Sequence, residues 1–383
     1  MNKITRKSFL KVLAATMVGG AAASALTGAA APVSIDETNG KVSRWVKNNL
    51  NPDGPLTIAK QGMFSSGGTV TAPVAGTYDA TTNWLDTTRA GNTAHVDHAN
   101  VLYQIPADSN GWPMVYLHGY GQSRMGWITT PDGRQGWADL FLRNGYSAFL
   151  VDQPRRGEAG STAQMSTDGF LDTWSADSKD YKPGDQAWYT HFRIGRVAPE
   201  RYEGSQFPEG DAAQNQFFRQ MTPNTGDFDQ AVAAAALGEV MKDVQTLTGH
   251  KSIFVTHSQG GAVGWDVPAD NIAAIVAIEP GGTPAIGSEQ YTKLLSVGIP
   301  IAIYFGDYID NGPEDIMSTS FWRQVRDGAL AFAAQYNADG GDCTLVDLPK
   351  IGITGNSHFM FQELNNKEIA AHIYQWLESR ALA

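Results

Sequence analysis

One stretch decides the fold of this chain: Ser252-Ile253-Phe254-Val255-Thr256-His257-Ser258-Gln259-Gly260-Gly261. It begins as a continuous apolar run, which is typical of a strand that is covered on both faces of a sheet. A serine follows, and then two glycines where a helix is expected to start. This order predicts a strained turn that exposes the Ser258 hydroxyl above the sheet. Thr256 stands where such a turn usually has a glycine, so the strand end must leave it room. A serine that only caps the helix, without a catalytic role, is the alternative.

The same pattern of strands and helices continues on both sides of that stretch. Apolar runs predict strands at 56–58, 69–71, 101–105, 113–117, 146–151, 252–256, 272–278, 299–305 and 344–348. Helical spacing predicts helices at 137–143, 229–247 and 366–380. Strands that alternate with helices indicate a mainly parallel sheet flanked by helices. We therefore expect one α/β domain over residues 32–383.

Residues 155–227 interrupt this pattern, because they are too many for a connection between a strand and a helix. The segment is rich in aromatic residues: Phe170, Trp174, Tyr181, Trp188, Tyr189, Phe192, Tyr202, Phe207, Phe217 and Phe218. One interpretation is a cap, inserted after an early strand, that gives the substrate an apolar wall. The other is an inserted subdomain whose aromatic residues form only its own core.

A serine nucleophile needs a base, because its hydroxyl is not ionised at neutral pH. Among the eight histidines, His358 follows the last predicted strand and precedes the final helix. In an α/β sheet that position lies at the carboxyl edge, where active sites form. His257 adjoins the serine, but neighbours on such a turn point apart, and His118 is expected to be structural. His358 is therefore the predicted base.

The third member of such a triad is a carboxylate that orients the imidazole and stabilises its charged form. Glu279 ends the strand that follows the serine's strand, while Asp307 and Asp310 follow the next one. Each choice keeps the chain order serine, acid, histidine. Spacing alone does not separate them.

An oxyanion that develops on a substrate carbonyl needs preorganised N–H donors. The backbone N–H of Gln259, directly after the serine, is one candidate. The second is the N–H of Tyr120 in the turn His118-Gly119-Tyr120-Gly121, which follows an earlier predicted strand. The two glycines allow that backbone to turn sharply.

Composition and charge exclude several other classes of protein. The chain has 383 residues, of which 42% are hydrophobic, and this is enough for a large core. Its net charge of −11 argues against a nucleic-acid binder. The single Cys343 excludes an intramolecular disulfide, and no zinc-ligand spacing occurs. His95, Asp97 and His98 have a faintly metal-like spacing but no further ligand. We expect neither a metal nor an organic cofactor.

Residues 1–31 have the features of an export signal. Basic residues (Lys3, Arg6, Lys7 and Lys11) precede an apolar stretch of small residues, with Ala23-Ser24-Ala25 as a cleavage candidate. This stretch is too short for a comfortable membrane span, and no stable span is expected after cleavage. Residues 5–11 resemble a twin-arginine signal with Lys7 in place of the second arginine, so the route is that one or the general one. We expect an exported protein, periplasmic or extracellular.

A set of motifs occurs together between about residues 113 and 375: residues 116–123, 127–134, 136–137, 151–157, 257–259, 278–281 and 355–358. In this combination the sequence resembles the α/β-hydrolase family, and more narrowly a group of exported bacterial serine esterases. Such esterases carry a Ser-His-Glu triad whose acid follows the strand after the serine's strand. The resemblance therefore implies Glu279 as the acid, beside Ser258 and His358.

These observations predict an exported carboxylic-ester hydrolase that forms an acyl-enzyme on Ser258 and acts on a small-molecule ester. An amidase, peptidase or lactonase with the same triad is an alternative, and so is a lipase that acts at lipid surfaces. A catalytically silent binding module with this fold is a further alternative, but the chain has a candidate for every catalytic group. The sequence leaves the acyl and alcohol groups and the oligomeric state open.

Overall fold

The computed structural model describes residue 45 and residues 54–72, 74–81, 90–160 and 184–383. The expected export signal lies outside the described residues, as do Phe170, Trp174 and Tyr181 of the insertion. From residue 113 onward the described chain alternates between strands and helices.

The strands are β1 (Ile58–Ser66), β2 (Thr69–Thr71), β3 (Ala94–Val96), β4 (Ala99–Pro106), β5 (Pro113–Leu117), β6 (Ser147–Asp152), β7 (Ser252–His257), β8 (Ile272–Ile278), β9 (Ile301–Phe305) and β10 (Cys343–Asp347). Eight of them form one sheet in the order β1-β4-β6-β5-β7-β8-β9-β10. The pairs β1–β4 and β4–β6 are antiparallel, and the pairs from β6 to β10 are parallel. The mainly parallel sheet predicted from the sequence is therefore confirmed.

The helices of the described chain flank this sheet. They are α1 (Met125–Ile128), α2 (Trp137–Leu142), α3 (Asp185–His191), α4 (Asp211–Arg219), α5 (Gln230–Thr248), α6 (Gln259–Gly264), α7 (Glu289–Val297), α8 (Met317–Ala338) and α9 (Asn366–Glu378). Helices α3 and α4 belong to the insertion. Of the helices within the described ranges, none combines the length and the apolar character that crossing a bilayer requires.

The central strands place the candidate site at one edge of the sheet. Every residue of β5, β6, β7 and β9 is buried, as expected for strands with helices on both faces. Strands β5, β7, β8 and β9 are parallel neighbours, so their carboxyl ends meet at the same edge. The residues that follow these strands are His118, Ser258, Glu279 and Gly306. The topology thus brings the predicted nucleophile, the predicted acid and the oxyanion turn together.

Helix α5, which leads into β7, begins and ends as its sequence predicts. The Asp229 carboxylate accepts the N–H groups of Ala231 and Val232 at 3.0 and 3.1 Å, which caps the first turn. The helix ends at Thr248, and the next residue, Gly249, has a φ of 80°, a left-handed conformation that glycine adopts without strain. Local sequence therefore fixes both ends of this helix.

The sequence does not predict α8, which has 22 residues. No described side chain caps its first turn, and Ser318, Thr319 and Gly328 are weak helix formers. The helix is stabilised by its packing, since Trp322 and Phe332 on its inner face are buried. The strand predicted at 56–58 overlaps β1 (Ile58–Ser66) at Ile58 alone, because β1 is an edge strand that is mostly exposed and has few apolar residues.

Candidate active site

The structure places Ser258 in a strained turn between β7 and α6. Its φ of 54° and ψ of −119° lie outside the regions that residues other than glycine usually adopt. Glycines surround the turn: a Cβ on Gly119 would stand 2.7 Å from the Ser258 Cβ, and one on Gly260 would stand 2.4 Å from the His118 carbonyl oxygen. Because such distances are too short for real contacts, this turn requires glycine at both positions.

Thr256 has the room that its place in the motif requires. A Cβ on Gly264 would lie 3.0 Å from Thr256 Cγ2, and one on Gly261 would lie 3.6 Å from Thr256 Oγ1. Gly264 of α6 thus leaves space for Thr256, because a Cβ at 3.0 Å would be tighter than an ordinary contact, whereas the distance of 3.6 Å from Gly261 is an ordinary one. The departure from the usual motif is accommodated by the helix that follows.

His358 and Glu279 form a close pair. The distance between His358 Nδ1 and Glu279 Oε2 is 2.6 Å, and both side chains are fully buried. This contact holds the proton of the neutral imidazole on Nδ1 and leaves Nε2 to act as a base. His358 Nε2 makes no hydrogen bond with any described residue, the Ser258 hydroxyl included. Nucleophile–base hydrogen bonds are often long in free enzymes and shorten in the reacting complex.

The surroundings of His358 keep its imidazole neutral. The Phe192 ring stacks on it at 4.7 Å, with 14° between the ring planes. His257 packs against it at 4.4 Å and donates from Nε2 to the His358 carbonyl oxygen at 3.0 Å. Burial, together with the Arg193 guanidinium and His191, lowers the pKa of His358 well below its ordinary value. A neutral imidazole at pH 7 is the form that a general base requires.

Glu279 is held from several sides. It leaves β8 with a φ of 41°, and its Oε1 accepts the Gly306 N–H at 2.7 Å and a hydrogen bond from Arg193. The Ser258 N–H donates to the carbonyl oxygen of Ile278, the residue before the acid, at 3.0 Å. Backbone hydrogen bonds therefore join the serine turn directly to the segment that carries the acid.

The other two candidate acids lie elsewhere. Asp307 accepts the N–H groups of Tyr308 and Gly355 at 2.7 and 2.8 Å. Asp310 is exposed and pairs with Arg326 at 2.7 Å. In the described structure it is Glu279, not either aspartate, that contacts His358.

A buried carboxylate holds the loop that carries His358. Both oxygens of Glu363 accept the Ser357 N–H, at 2.9 and 3.1 Å, and Asn356 donates to the same carboxylate at 2.8 Å. Asn356 also exchanges side-chain hydrogen bonds with Asn365, at 2.6 and 3.0 Å. Burial raises the pKa of Glu363 to about 7, although the hydrogen bonds from Ser357 and Asn356 lower it.

A turn between α1 and α2 binds the other side of this loop. Arg134 Nη1 donates to the carbonyl oxygen of Leu364 at 3.3 Å and to Asn366 Oδ1 at 3.2 Å. Asn366 donates in return to the Gln135 carbonyl oxygen, and Trp137 Nε1 donates to the Asn366 carbonyl oxygen, both at 3.0 Å. The motif at 127–137 therefore supports the loop of the predicted base.

The predicted oxyanion turn has a fixed peptide orientation. The Gly119 carbonyl oxygen accepts from Arg156 Nη1 at 3.1 Å and from His118 Nδ1 at 2.9 Å. Because the C=O and the following N–H of a trans peptide point in opposite directions, the Tyr120 N–H points away from Arg156. The Gln259 N–H lies at the start of α6, whose glycine-lined turn packs against this segment.

His118 fits the structural role that its position predicts. Its Nδ1 donates to the Gly119 carbonyl oxygen, and its Nε2 accepts the Gln153 N–H at 3.3 Å. Burial and the neighbouring Arg156 lower its pKa to about 4, so it is neutral at pH 7.

The faintly metal-like group around residue 97 has another use. Asp97 makes a two-point contact with the buried Arg155, at 2.8 and 3.0 Å. Within the described ranges, no group of three or more His, Cys, Asp or Glu side chains is placed to bind a metal ion.

The insertion contributes both to the site and to a core of its own. Trp188 of α3 lies against the oxyanion turn, since a Cβ on Gly121 would stand 2.6 Å from its ring. Phe192, one turn further on, stacks on His358. Other aromatic residues of the insertion pack against one another, namely Tyr189, Phe207 and Phe217.

An antiparallel edge followed by parallel strands, with the serine turn after a central strand, is the architecture of the α/β-hydrolases. The chain is 31% identical to a novel bacterial esterase of known structure, over 86% of this chain and 98% of that one, with a TM-score of 0.69. It is 27% identical over 314 residues to the probable secreted lipase phiG of a fungal species (strain ATCC 74256), which covers 70% of this chain and 82% of the relative. No protein-family model matches the chain. The chain belongs to the α/β-hydrolase esterases, as its motifs led us to expect.

Sequence reasoning missed Arg193, Glu363 and Arg134, which support the acid and the base without being part of a triad. Arg134 lies in a motif that carries the family resemblance. The sequence therefore marked this arginine, but it did not indicate the residues that it contacts. Arg193 has no local signal, because its partner Glu279 lies 86 residues away in the chain. Glu363 lies six residues from its partner Ser357, but no motif in the sequence marks that contact.

Proposed function

We propose that this chain is an exported carboxylic-ester hydrolase that forms an acyl-enzyme on Ser258. The observation that carries the proposal is the 2.6 Å contact between His358 Nδ1 and Glu279 Oε2 at the sheet edge where Ser258 lies. A buried carboxylate in that position orients the imidazole and stabilises the imidazolium that forms during the reaction. The bacterial esterase among the relatives supports the reaction class, and the name of the fungal lipase supports export.

In this mechanism Ser258 Oγ attacks the ester carbonyl while His358 Nε2 takes its proton. The backbone N–H groups of Gln259 and Tyr120 donate to the oxyanion of the tetrahedral intermediate. His358 then returns the proton to the leaving alcohol, and the acyl group stays on Ser258. Water, activated by the same imidazole, releases the acid and restores the serine. Glu279 accepts from His358 Nδ1 throughout, and no metal or organic cofactor takes part.

The substrate class rests on the relatives rather than on the triad. An amidase, a peptidase or a lactonase would use the same nucleophile, base and acid on a different leaving group. The names of the two relatives, an esterase and a probable secreted lipase, favour an ester over an amide. Export follows from the features of residues 1–31, by the twin-arginine or the general route.

The test is hydrolysis of p-nitrophenyl acetate, butyrate and octanoate by the wild type and three variants. We expect Ser258→Ala to abolish turnover and Glu279→Gln to lower kcat by about four orders of magnitude, because an amide cannot hold the correct tautomer. Asp310→Asn is the matched control: this carboxylate is exposed and lies on the candidate strand end that does not contact His358. It should retain wild-type activity.

Each other outcome has a separate meaning. A fall in Asp310→Asn equal to that in Glu279→Gln would show that the acid is misassigned. A wild type that labels at Ser258 with a fluorophosphonate, yet hydrolyses no ester, would overturn the substrate class. Absence of both labelling and turnover would overturn the hydrolase mechanism itself.

A further inference from the structure

Arg193 is a buried arginine whose described side-chain hydrogen bonds go to Glu279 after β8 and to the backbone of Asp307 after β9. Its side chain is almost fully buried and its φ is 63°, a left-handed conformation that is unusual outside glycine. Its Nη2 donates to Glu279 Oε1, and its Nε donates to the carbonyl oxygen of Asp307 at 3.0 Å. The guanidinium carbon lies 5.2 Å from the centre of the Trp322 ring, which also packs on His358.

The backbone next to Arg193 contacts the base as well. The His358 N–H donates to the carbonyl oxygen of Phe192 at 3.1 Å, and the Phe192 ring stacks on the imidazole. Two consecutive residues of the insertion therefore contact the predicted base and the predicted acid. A segment that only covered the substrate would have no reason to bond to the far side of the acid.

The charge of Arg193 matters because of what surrounds His358. Among the described residues, the ionisable groups around the imidazole are Glu279 after β8, Asp307 after β9, His257 at the end of β7, Glu363 in its own loop, and Arg193 and His191 from the insertion. In this group Arg193 alone carries a positive charge at every pH of an assay. Glu279 divides its two oxygens between this cation and the imidazole. The cation opposes the tendency of the carboxylate to keep His358 protonated.

We propose that Arg193 is a positioning residue of the triad: it fixes the Glu279 carboxylate through one arm of its guanidinium, anchors itself on the Asp307 carbonyl through another, and keeps the base unprotonated. This inference rests on the proposed function of Ser258, His358 and Glu279. It makes the insertion part of the catalytic apparatus, because without it the acid would be a buried carboxylate with one partner fewer.

The test measures the rate at which a fluorophosphonate labels Ser258 as a function of pH, together with kcat on p-nitrophenyl butyrate. In Arg193→Met the acidic limb of the labelling profile should move to higher pH by about one unit, because a cation close to His358 is removed. The same variant should lose at least about tenfold in kcat, since the carboxylate is no longer fixed. Arg193→Lys keeps the charge but not the two-armed geometry. Its acidic limb should stay in place while kcat falls.

Arg196→Met is the matched control, because Arg196 lies on the same segment and pairs with Asp315 on the surface, with 53% of its side chain exposed. Both of its readouts should equal those of the wild type. The proposal is overturned if the acidic limb of the labelling profile of Arg193→Met coincides with that of the wild type. This holds even if the variant has a lower melting temperature, because a purely structural role would lower stability and leave the limb in place. If Arg193→Met does not fold, Arg193→Lys decides, and full wild-type kcat in that variant overturns the proposal. A wild type that fails to label at Ser258 instead overturns the proposed function, and the two failures are thereby distinguished.

Discussion

One methyl group added at Gly119 should lower the rate of ester hydrolysis strongly and still allow the protein to fold. In Gly119→Ala the new Cβ would stand 2.7 Å from the Ser258 Cβ and 2.9 Å from His257 Nδ1. Carbon atoms in contact prefer about 3.5–4.0 Å, so the two segments must move apart by about 1 Å. Neither neighbour is a flexible side-chain end, since one belongs to the strained serine turn and the other to a fully buried ring. The displacement therefore falls on the oxyanion turn and on the serine.

A shift of about 1 Å in a reacting group costs about 10²-fold in rate, and overpacking of a buried site costs about 1–3 kcal/mol of stability. We expect kcat on p-nitrophenyl butyrate to fall by about 100-fold while the protein still folds with a lower melting temperature. Steady-state kinetics and thermal unfolding measure the two effects. Gly328→Ala is the control, because no atom of the described residues lies within 4 Å of a Cβ there and the residue is in the interior of α8. It should leave kcat unchanged and raise stability by about 0.5–1 kcal/mol. A Gly119→Ala variant with wild-type kcat would refute the steric argument.

Two further predictions concern buried carboxylates. Burial raises the pKa of Glu363 to about 7 from an ordinary 4.5, so its stabilising contribution is full below pH 4.5 and is lost as the pH rises to 7. Relative to Glu363→Gln, the wild type should lose about 3 kcal/mol of unfolding free energy across that window in urea titrations, and a difference that does not change with pH would contradict this. The buried histidines titrate in both proteins and cancel. Asp97→Ala should cost about 3–5 kcal/mol in the same assay, because it leaves Arg155 buried without its two-point partner. Asp315→Ala, which breaks the exposed pair with Arg196, should cost about 0–1 kcal/mol, and equal losses in the two variants would be inconsistent with the burial argument.

The sequence was most informative where a structure is determined by neighbours along the chain. The continuous apolar run at 252–256 became β7, the run at 272–278 became β8, and Asp229 and Gly249 fixed the ends of α5. Strands buried on both faces are continuous apolar runs, so the central strands and the mainly parallel sheet could be predicted, whereas the order of the strands in the sheet could not. Helix α8 was not, because it depends on Trp322 and Phe332 packing against the sheet rather than on caps or propensity.

In the candidate site, too, the residues set by local sequence could be predicted, and those set by long-range contacts could not. Ser258 and the glycines around it form a local motif, and the order of serine, acid and histidine limits the choice of partners. Spacing did not separate Glu279 from Asp307 or Asp310, because these candidates follow neighbouring strands that end at one edge. The structure separates them by a hydrogen bond: Asp307 binds the backbone of the base's loop, while Glu279 contacts His358 itself. Arg193 lay beyond sequence reasoning, since only the folded insertion brings it to the acid.

The loop of His358 also has a consequence for the order of folding. Arg134 and Asn366, which join the turn before α2 to this loop, are 232 residues apart in the chain. The serine turn is formed by β7, β8 and the Gly119 turn after β5. The base also needs the turn before α2, the insertion and the last helix to be in contact. Contacts that close such long stretches of chain form slowly. A refolding chain should therefore recover its helical signal before Ser258 becomes reactive. Activity should return only when the long-range contacts that hold the His358 loop have formed.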